Sequence, residues 1–339
     1  MAEIPQAKND ISALIDEHHE RQRQGKRYHL GVSGIGEPCD RRMWLQFRWA
    51  VAEKFPGRVL RLFRRGHHEE TWIVQDLRAI GVDIRDTEGS QARVDFGAHV
   101  SGSMDGIIYG GVPQAPKAKH VAEFKTHSKK SFDDLVKKGV KDSKPMHWAQ
   151  MQAYMLGAEI DRALYVAVCK DDDRMYSERV KLDKERAQWL VERAQRIALS
   201  DETPPPISTD PSWYQCRFCP AHGLCHGQEY TRNTSCRTCA HATPRKDSTW
   251  YCERWEADIP YSAQPDGCPA HVLHPDMVPW KMGDAVDDWT ANYIIDGQAV
   301  ANGESGFSSS EIIANPTACA SGDKTIEKLR SELGAKVVG

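Results

Sequence analysis

Apolar and polar positions recur at two different periods along the chain, and the change of period marks its elements. Residues 10–28 carry helical spacing, and after a Gly-rich turn at "GVSGIGEP" the stretch "RRMWLQFRWAV" continues as an amphipathic helix. A third helical run, "RLFRRGHHEETWIVQDLRAIG", places Leu62, Phe63, Trp72, Ile73 and Leu77 near one face and stops at Gly81, which suits a C-cap. Three short runs rich in Val, Ile, Phe or Tyr then read as strands: "QARVDFG", "MDGIIYG" and "HVAEFKT". Beyond a Lys-rich loop, "PMHWAQMQAYMLG" reads as a helix, "ALYVAVCK" as a buried strand, "MYSERVKL" as a half-exposed strand and "DKERAQWLVERAQRIAL" as a long helix. The Pro-rich "DETPPPISTDPS" breaks this pattern ahead of a Cys-rich segment. Past residue 280, "DDWTANYIIDG" and "TIEKLRSELG" read as short helices and "SGFSSSEIIANPTACASGD" as loop or mobile tail. There is no internal repeat, and strands framed by helices predict an α/β core.

Composition adds scale. At 339 residues and 40% hydrophobic content, the chain can bury one sizeable core and a smaller module, divided here as 1–230, 231–280 and 281–339. No apolar stretch approaches the roughly 18 residues of a membrane span, and "MAEIPQAKNDIS" lacks the charged start and apolar centre of a leader, so no membrane partner and a cytoplasmic location are expected. The formal net charge is -3, yet between Arg21 and Arg65 there are 12 Lys and Arg against 3 acids. That local excess, Arg41, Arg42, Arg61 and Arg64 included, suits phosphates or else a solvated helical face. Trp44, Phe47 and Trp49 alternate with arginines; core packing is the favoured reading and base stacking the alternative.

The stretch "MDGIIYGGVPQAPKAKHVAEFKTH" holds the candidate chemistry. Asp105 opens one strand and Glu123 sits on the next, where the two could meet at one end of a sheet and offer the hard oxygen ligands that Mg2+ prefers. Lys125 follows Glu123 by two residues, so on a strand it shares that face and can stabilise negative charge or orient a water. Such a trio suits phosphodiester hydrolysis.

"GSMDGII" and "AEFKTH", preceded by "RRGHHEE" and followed by "QMQAY", resemble the PD-(D/E)XK nuclease superfamily in its RecB-like branch with phage exonucleases, over residues 30 to about 228. The resemblance implies a nuclease core with a mixed central sheet flanked by helices, and Mg2+ or Mn2+ held by Glu70, Asp105 and Glu123; a small Cys-rich zinc module and a C-terminal tail are expected beside that core from the sequence itself, the module being no standard part of it. It also implies a catalytic Lys125, with Gln150 and Tyr154 contacting DNA or steadying the site from one helix face. Many RecB-like members carry His where Glu70 stands, as phage recombination exonucleases do not, which leaves His67 and His68 as second choices. The loop "GGVPQAPKAK" is longer than a tight hairpin needs and reads as an extension near DNA or a plain insertion.

Of the 10 cysteines, tight Cys-x2-Cys pairs in a cytosolic chain read as metal ligands rather than disulfides. The order of Cys39 before the core with Cys216, Cys219 and Cys225 after it resembles RecB-like nucleases that bind a [4Fe-4S] cluster, and Zn2+ at the same four residues is the rival. Cys236, Cys239, Cys252 and Cys268 form the simplest tetrahedral Zn2+ set, with His271 or His241 as substitutes for one Cys. Cys169 and Cys319 read as ordinary thiols. Together these features imply a metal-dependent DNA exonuclease of recombination, repair or phage DNA processing, acting in a bacterial host's cytoplasm if phage-encoded, with a recombination or single-strand-binding protein as candidate partner. A structure-specific endonuclease on the same core and a catalytically idle DNA-binding adaptor are the alternatives.

Overall fold

A computed structural model describes residues 10–22, 25–51, 54–227, 229–284 and 286–338; most of the N-terminal stretch read above for a leader lies outside them. Helix α1 (Ile11–Arg21) starts at Asp10, which caps it by accepting the amide of Ser12 at 2.9 Å. Strand β1 (Leu30–Gly31) leads through a 3-10 turn into α2 (Asp40–Phe47), and the long α3 (Gly57–Ala79) follows Pro56. Ile73 and Val74 of α3 are buried, but Phe63 and Trp72 remain 46% and 56% exposed. The first half of α3 runs along α1, joined by the Arg61–Asp16 ion pair at 2.6 Å, and Phe63 meets the ring of Phe55.

Seven strands come next: β2 (Asp83–Arg85), β3 (Arg93–Asp95), β4 (Val100–Ser103), β5 (Gly106–Gly110), β6 (His120–His127), β7 (Arg162–Cys169) and β8 (Met175–Lys181). Five of them form a sheet in the order β2-β5-β6-β7-β8, and β1-β4-β3 form a smaller one. Only β6 and β7 are parallel in the larger sheet, so the chain must cross over between them. The crossover is α4 (Lys129–Ser143) and α5 (Pro145–Gly157). The first of these replaces the expected Lys-rich loop: Phe132, Leu135 and Val140 bury one stripe while the lysines face water. Its backbone breaks at Gly139, where φ is +76°, and the freed amide of Val140 donates to Glu178 at 2.8 Å. Helix α6 (Lys184–Ala198) closes this part, capped by Asp183.

The sheet buries both faces. Val121, Ala163, Tyr165 and Ala167 pack with Met151, Leu190 and Trp44 on one side, and Ala122, Phe124, Leu164 and Val166 pack with Ile73 and Val74 on the other. Trp44, Phe47 and Trp49 are all buried, as the packing reading required. The basic segment is less free than its composition suggested. Arg42 pairs with Glu37 at 3.1 Å, Arg41 donates to the Pro204 carbonyl at 2.8 Å, and Arg48 is buried.

Two short helices, α7 (Tyr214–Arg217) and α8 (His222–Cys225), precede an antiparallel sheet of β9 (Ala242–Pro244), β10 (Trp250–Cys252) and β11 (Ala257–Asp258). The remaining residues fold as β12 (Lys281–Met282), β13 (Ala291–Ile295), β14 (Gln298–Asn302), α9 (Ser309–Ala314), α10 (Pro316–Ala320) and α11 (Lys324–Leu333). "DDWTANYIIDG" is therefore a strand and turn, not a helix: Tyr293 and Ile295 alternate inward, and Asp296-Gly297, both at positive φ, make the hairpin. "SGFSSSEIIANPTACASGD", read as loop or tail, supplies α9 and α10, with a capping box at Ser308 and Glu311. No helix among the described residues is long and apolar enough to cross a membrane.

Arg237 ties the Cys-rich sheet to the front of the chain. Fully buried, it donates to the carbonyls of Phe47 at 2.9 Å and Tyr28 at 2.7 Å and to Gln264 at 2.9 Å, with its guanidinium over the rings of Trp49, Phe47 and Trp250. Burial pushes its pKa down to about 9. Arg237→Met keeps most of the volume but leaves three acceptors without this donor, two of them buried, and should cost about 3 kcal/mol in denaturant unfolding; a loss within about 0.5 kcal/mol, the range of ordinary surface changes, would show that the contact clamps nothing.

Candidate active site

The chain passes from the smaller sheet to the larger one at Met104–Asp105, between β4 and β5. Asp105 is tied to β6 there, its Oδ2 accepting the amide of Phe124 at 2.8 Å. Period-two alternation on β6 points Glu123 and Lys125 to the α5 side. Glu123 is fully buried; its Oε2 accepts from Gln150 Nε2 at 3.1 Å, and its Oε1 pairs with the Lys125 ammonium. The same ammonium lies 3.7 Å from Asp105 Oδ2 and donates to the Phe124 carbonyl at 3.0 Å. Tyr154, one turn beyond Gln150 on α5, donates its hydroxyl to the Ser103 carbonyl at 2.6 Å. A side chain at Gly102 would come within 2.9 Å of that hydroxyl, so the bare backbone there lets α5 approach β4. Glu70 reaches the group from α3, where Gln91 Nε2 donates to it at 3.2 Å.

Glu70, Asp105, Lys125, Gln150 and Tyr154 line a single cleft of about 920 Å³; Glu123 is not among its lining residues. All six sequence-nominated side chains thus come together. His67 and Glu69 also line the cleft, while His68 stacks against Trp72. Burial, with Asp105 adding its charge, pushes Glu70 up to about 7. Burial also pushes Glu123 up to about 8, Lys125 opposing and Asp105 and Glu70 adding to the rise. For Lys125, burial works against the charge, but Glu123 and Asp105 outweigh it and hold the ammonium well above its ordinary range. Carboxylates that raise one another's proton affinity are a donor set suited to a hard divalent cation. Among the described residues, no three His, Cys, Asp or Glu side chains are gathered at the spacing of a formed ion site, and here the Lys125 ammonium stands between two of the acids.

The cysteines also gather in two groups. Cys39, at the N-cap of α2, lines a cavity of about 280 Å³ with Cys216, Cys219 and Cys225, beside Arg41 and Arg42. Burial raises the thiols of Cys216 and Cys219, and the neighbouring Cys39 and Cys225 raise them further. In the second group burial pushes Cys236 up to about 11 and Cys239 up to about 12, with Cys252 and Cys268 adding to both. His271 is engaged at both ring nitrogens, by Ser309 at 2.8 Å and the Ser235 carbonyl at 3.1 Å. Cys169 and Cys319 are buried away from both groups.

Sequence reading passed over Arg27, His29, Arg93 and Lys170, which line the cleft from four different segments and carry no motif. It also passed over His127, although the spacing of Glu123, Lys125 and His127 puts all three on one face.

Residues 2–226 match the family model of the PD-(D/E)XK nuclease superfamily, and the chain belongs to that superfamily. Among solved structures, the protein designated SSO0001 is similar at 14% identity and a TM-score of 0.39, over 65% of this chain and 97% of that one. LHK-Exo in complex with dAMP is similar at 15% identity and a TM-score of 0.38, over 51% of this chain and 87% of that one. An alkaline exonuclease, LHK-Exo, from Laribacter hongkongensis gives 16% and 0.35 over the same shares. No curated protein matches the chain.

The raised carboxylates set a pH signature. A carboxyl whose folded pKa lies above its unfolded value stabilises the fold below that unfolded value and loses the contribution as pH rises through the folded one. For Glu70 and Glu123 the loss runs from about pH 4.5 to about 8 in metal-free protein. An ion held by the ionised forms opposes it, so the gain in Tm on adding Mg2+ should grow between about pH 6 and about pH 9. A gain that does not change with pH would remove Glu70 and Glu123 from the ion site.

Proposed function

We propose that this nuclease is a Mg2+- or Mn2+-dependent deoxyribonuclease that hydrolyses DNA from its ends. The observation that carries the reading is that Glu70, Asp105 and Lys125 line one cleft of the superfamily core, with the buried Glu123 paired to Lys125 directly behind it. Glu70, Asp105 and Glu123 are the residues that would hold the ion. When bound, it supplies Lewis-acid polarisation of a phosphoryl oxygen and a more acidic water. Lys125 holds positive charge beside the reacting phosphate and orients the attacking water. Gln150 keeps Glu123 aimed by its hydrogen bond, and Tyr154 fixes the Ser103 carbonyl and so the backbone that carries Asp105. Arg27, Arg93 and Lys170 on the cleft wall supply charge for the DNA backbone, a role that Arg41, Arg42 and Arg61 are too engaged internally to fill. Resection of ends exposes single strands, so a recombination or single-strand-binding protein is the partner we expect, in the cytoplasm where such DNA is handled.

The four cysteines around one cavity support a [4Fe-4S] cluster at Cys39, Cys216, Cys219 and Cys225: the cluster needs four thiolates round a space larger than one ion, and Arg41 lies 3.8 Å from the Cys225 sulfur to balance their charge. Cys236, Cys239, Cys252 and Cys268 suit Zn2+ in a module of residues 231–280. Both metals are structural in this reading.

Asp105→Ala and Glu123→Ala should reduce Mg2+-dependent cleavage of end-labelled linear DNA to background while DNA affinity stays near wild type; cleavage by both variants would sink the assignment. Lys125→Ala should lose about 10²- to 10⁴-fold in rate yet bind Mg2+ at least as tightly, because its ammonium competes for the same carboxylates. Closed circular DNA should survive where linear DNA is degraded, and nicking of the circle would favour the endonuclease. Anaerobically purified protein should be brown and contain iron and about one zinc. Cys39→Ser should remove the colour and Cys252→Ser only the zinc; a colourless protein with two zincs would replace the cluster by Zn2+.

A further inference from the structure

The polar side chains of the site do not end at Lys125. On β6, His127 follows Glu123 and Lys125 on the same face, and on α5, His147 precedes Gln150 and Tyr154 by three and seven residues, again on one face. Between them lies Tyr165, which β7 places directly opposite Glu123 in the parallel register. The Tyr165 hydroxyl is 2.8 Å from His127 Nε2 and 3.0 Å from His147 Nδ1, and Ser131 closes the far end at 3.2 Å from His127 Nδ1. The His147 ring stacks on Tyr165 at 5.9 Å between centroids, and His127 lies tilted beside His147 at 5.7 Å. Tyr165 is fully buried and His127 nearly so, and none of the three lines the cleft.

We infer that Tyr165, His127 and His147 form a positioning network that holds Lys125 against Glu123. The inference rests on the reading of Lys125 as the group that acts at the phosphate. A hydroxyl has one proton, so it donates to one imidazole nitrogen and accepts from the other, and the two rings take opposite roles; the set is complete only with all three members. A half-satisfied polar set in a core is worse than none, which makes the three side chains hold one arrangement together. Both imidazoles remain neutral, pushed down to about 4 for His127 and about 3 for His147, first by burial and then by neighbouring positive charges that include Lys125. Lys125 stands on β6 between Glu123 and His127, all three on one face, and Tyr165 lies opposite Glu123 on the neighbouring strand. A network fixed on that side and the acids on the other would limit where the flexible side chain can place its ammonium.

Tyr165→Phe tests this, since it keeps the ring and removes only the shared hydroxyl. The turnover number should fall by tenfold to about a hundredfold, the scale of a small misplacement of a reacting group, with KM for DNA and the DNA affinity measured in Ca2+ unchanged. His147→Asn, which restores a polar group near the Nδ1 position, should recover most of the rate that His147→Leu loses. The double variant Tyr165→Phe with His147→Leu should be no slower than the worse single one, because both break the same set. A Tyr165→Phe enzyme that melts earlier but turns over normally while folded would reduce the network to core packing and overturn the inference. A crystal structure of Tyr165→Phe decides it without catalysis: Lys125 Nζ should leave Glu123 Oε1, and an unmoved Nζ would overturn the proposal. Should wild type cleave no DNA, the nuclease reading fails by itself, and the position of Nζ still reports on the network.

Discussion

A carboxylate with no exposure at all, Glu123 on the central strand, is the constraint around which the core is arranged. Removing such a charge from water is worth several kcal/mol against folding unless partners offset it. Its partners come from two places: Lys125 two residues along the same strand, and Gln150 from the crossover helix. Strand β6 is flanked on both sides, antiparallel to β5 and parallel to β7, so its backbone has little freedom to relax if a partner is lost. The parallel pairing demands a crossover, and the crossover supplies α5 with Gln150 and Tyr154. Topology and charge compensation are here one requirement.

The segment from Tyr28 to Arg48 performs a comparable service for the rest of the chain. Arg237 reaches the carbonyls of Tyr28 and Phe47 from over 180 residues away. From α6, Arg193 donates to the Glu37 carbonyl at 2.6 Å and to Asp40 at 2.8 Å, immediately beside Cys39. Closing loops of this length carries an entropic cost that grows only slowly with length, so a few well-satisfied buried arginines suffice to offset it. The thiols of Cys39, Cys216, Cys219 and Cys225 gather at the same place, where a metal would add a covalent closure to the hydrogen-bonded ones.

Legibility in sequence followed the strength of the local signal. Asp105, Glu123 and Lys125 were readable because a charged residue inside a short apolar run is unusual and period two fixes which neighbours share its face. The helix at Lys129–Ser143 was missed because its lysines dominate the composition, although Phe132, Leu135 and Val140 carry helical spacing. The strand at Ala291–Ile295 was taken for a helix although Asp296-Gly297, a strong hairpin signal, ends it. Arg237 and the cleft's Arg27 and Arg93 were illegible for a different reason. Their partners lie on other segments, and no local pattern marks a residue whose role is set entirely by what folds against it. Phe63 and Trp72 show a related limit, since helical periodicity says which residues share a face but not how far that face is covered.

Charge balance within the cleft connects the acids to the substrate. Glu70, Glu69, Glu88 and Asp105 line its surface with Lys125, and Arg27, Arg93 and Lys170 stand on its walls. Ionised acids here would repel a phosphate backbone. Burial first, and the neighbouring carboxylates after it, raise the proton affinities of Glu70 and Glu123. A divalent ion at such a site would remove the repulsion and let the same carboxylates ionise, so ion and phosphate would favour each other's presence at one place. The Lys125 ammonium, close to both Glu123 and Asp105, supplies part of that compensation. On the face of β6 that Lys125 shares, the buried Tyr165 and its two histidines are the groups we assign to keeping that ammonium at Glu123.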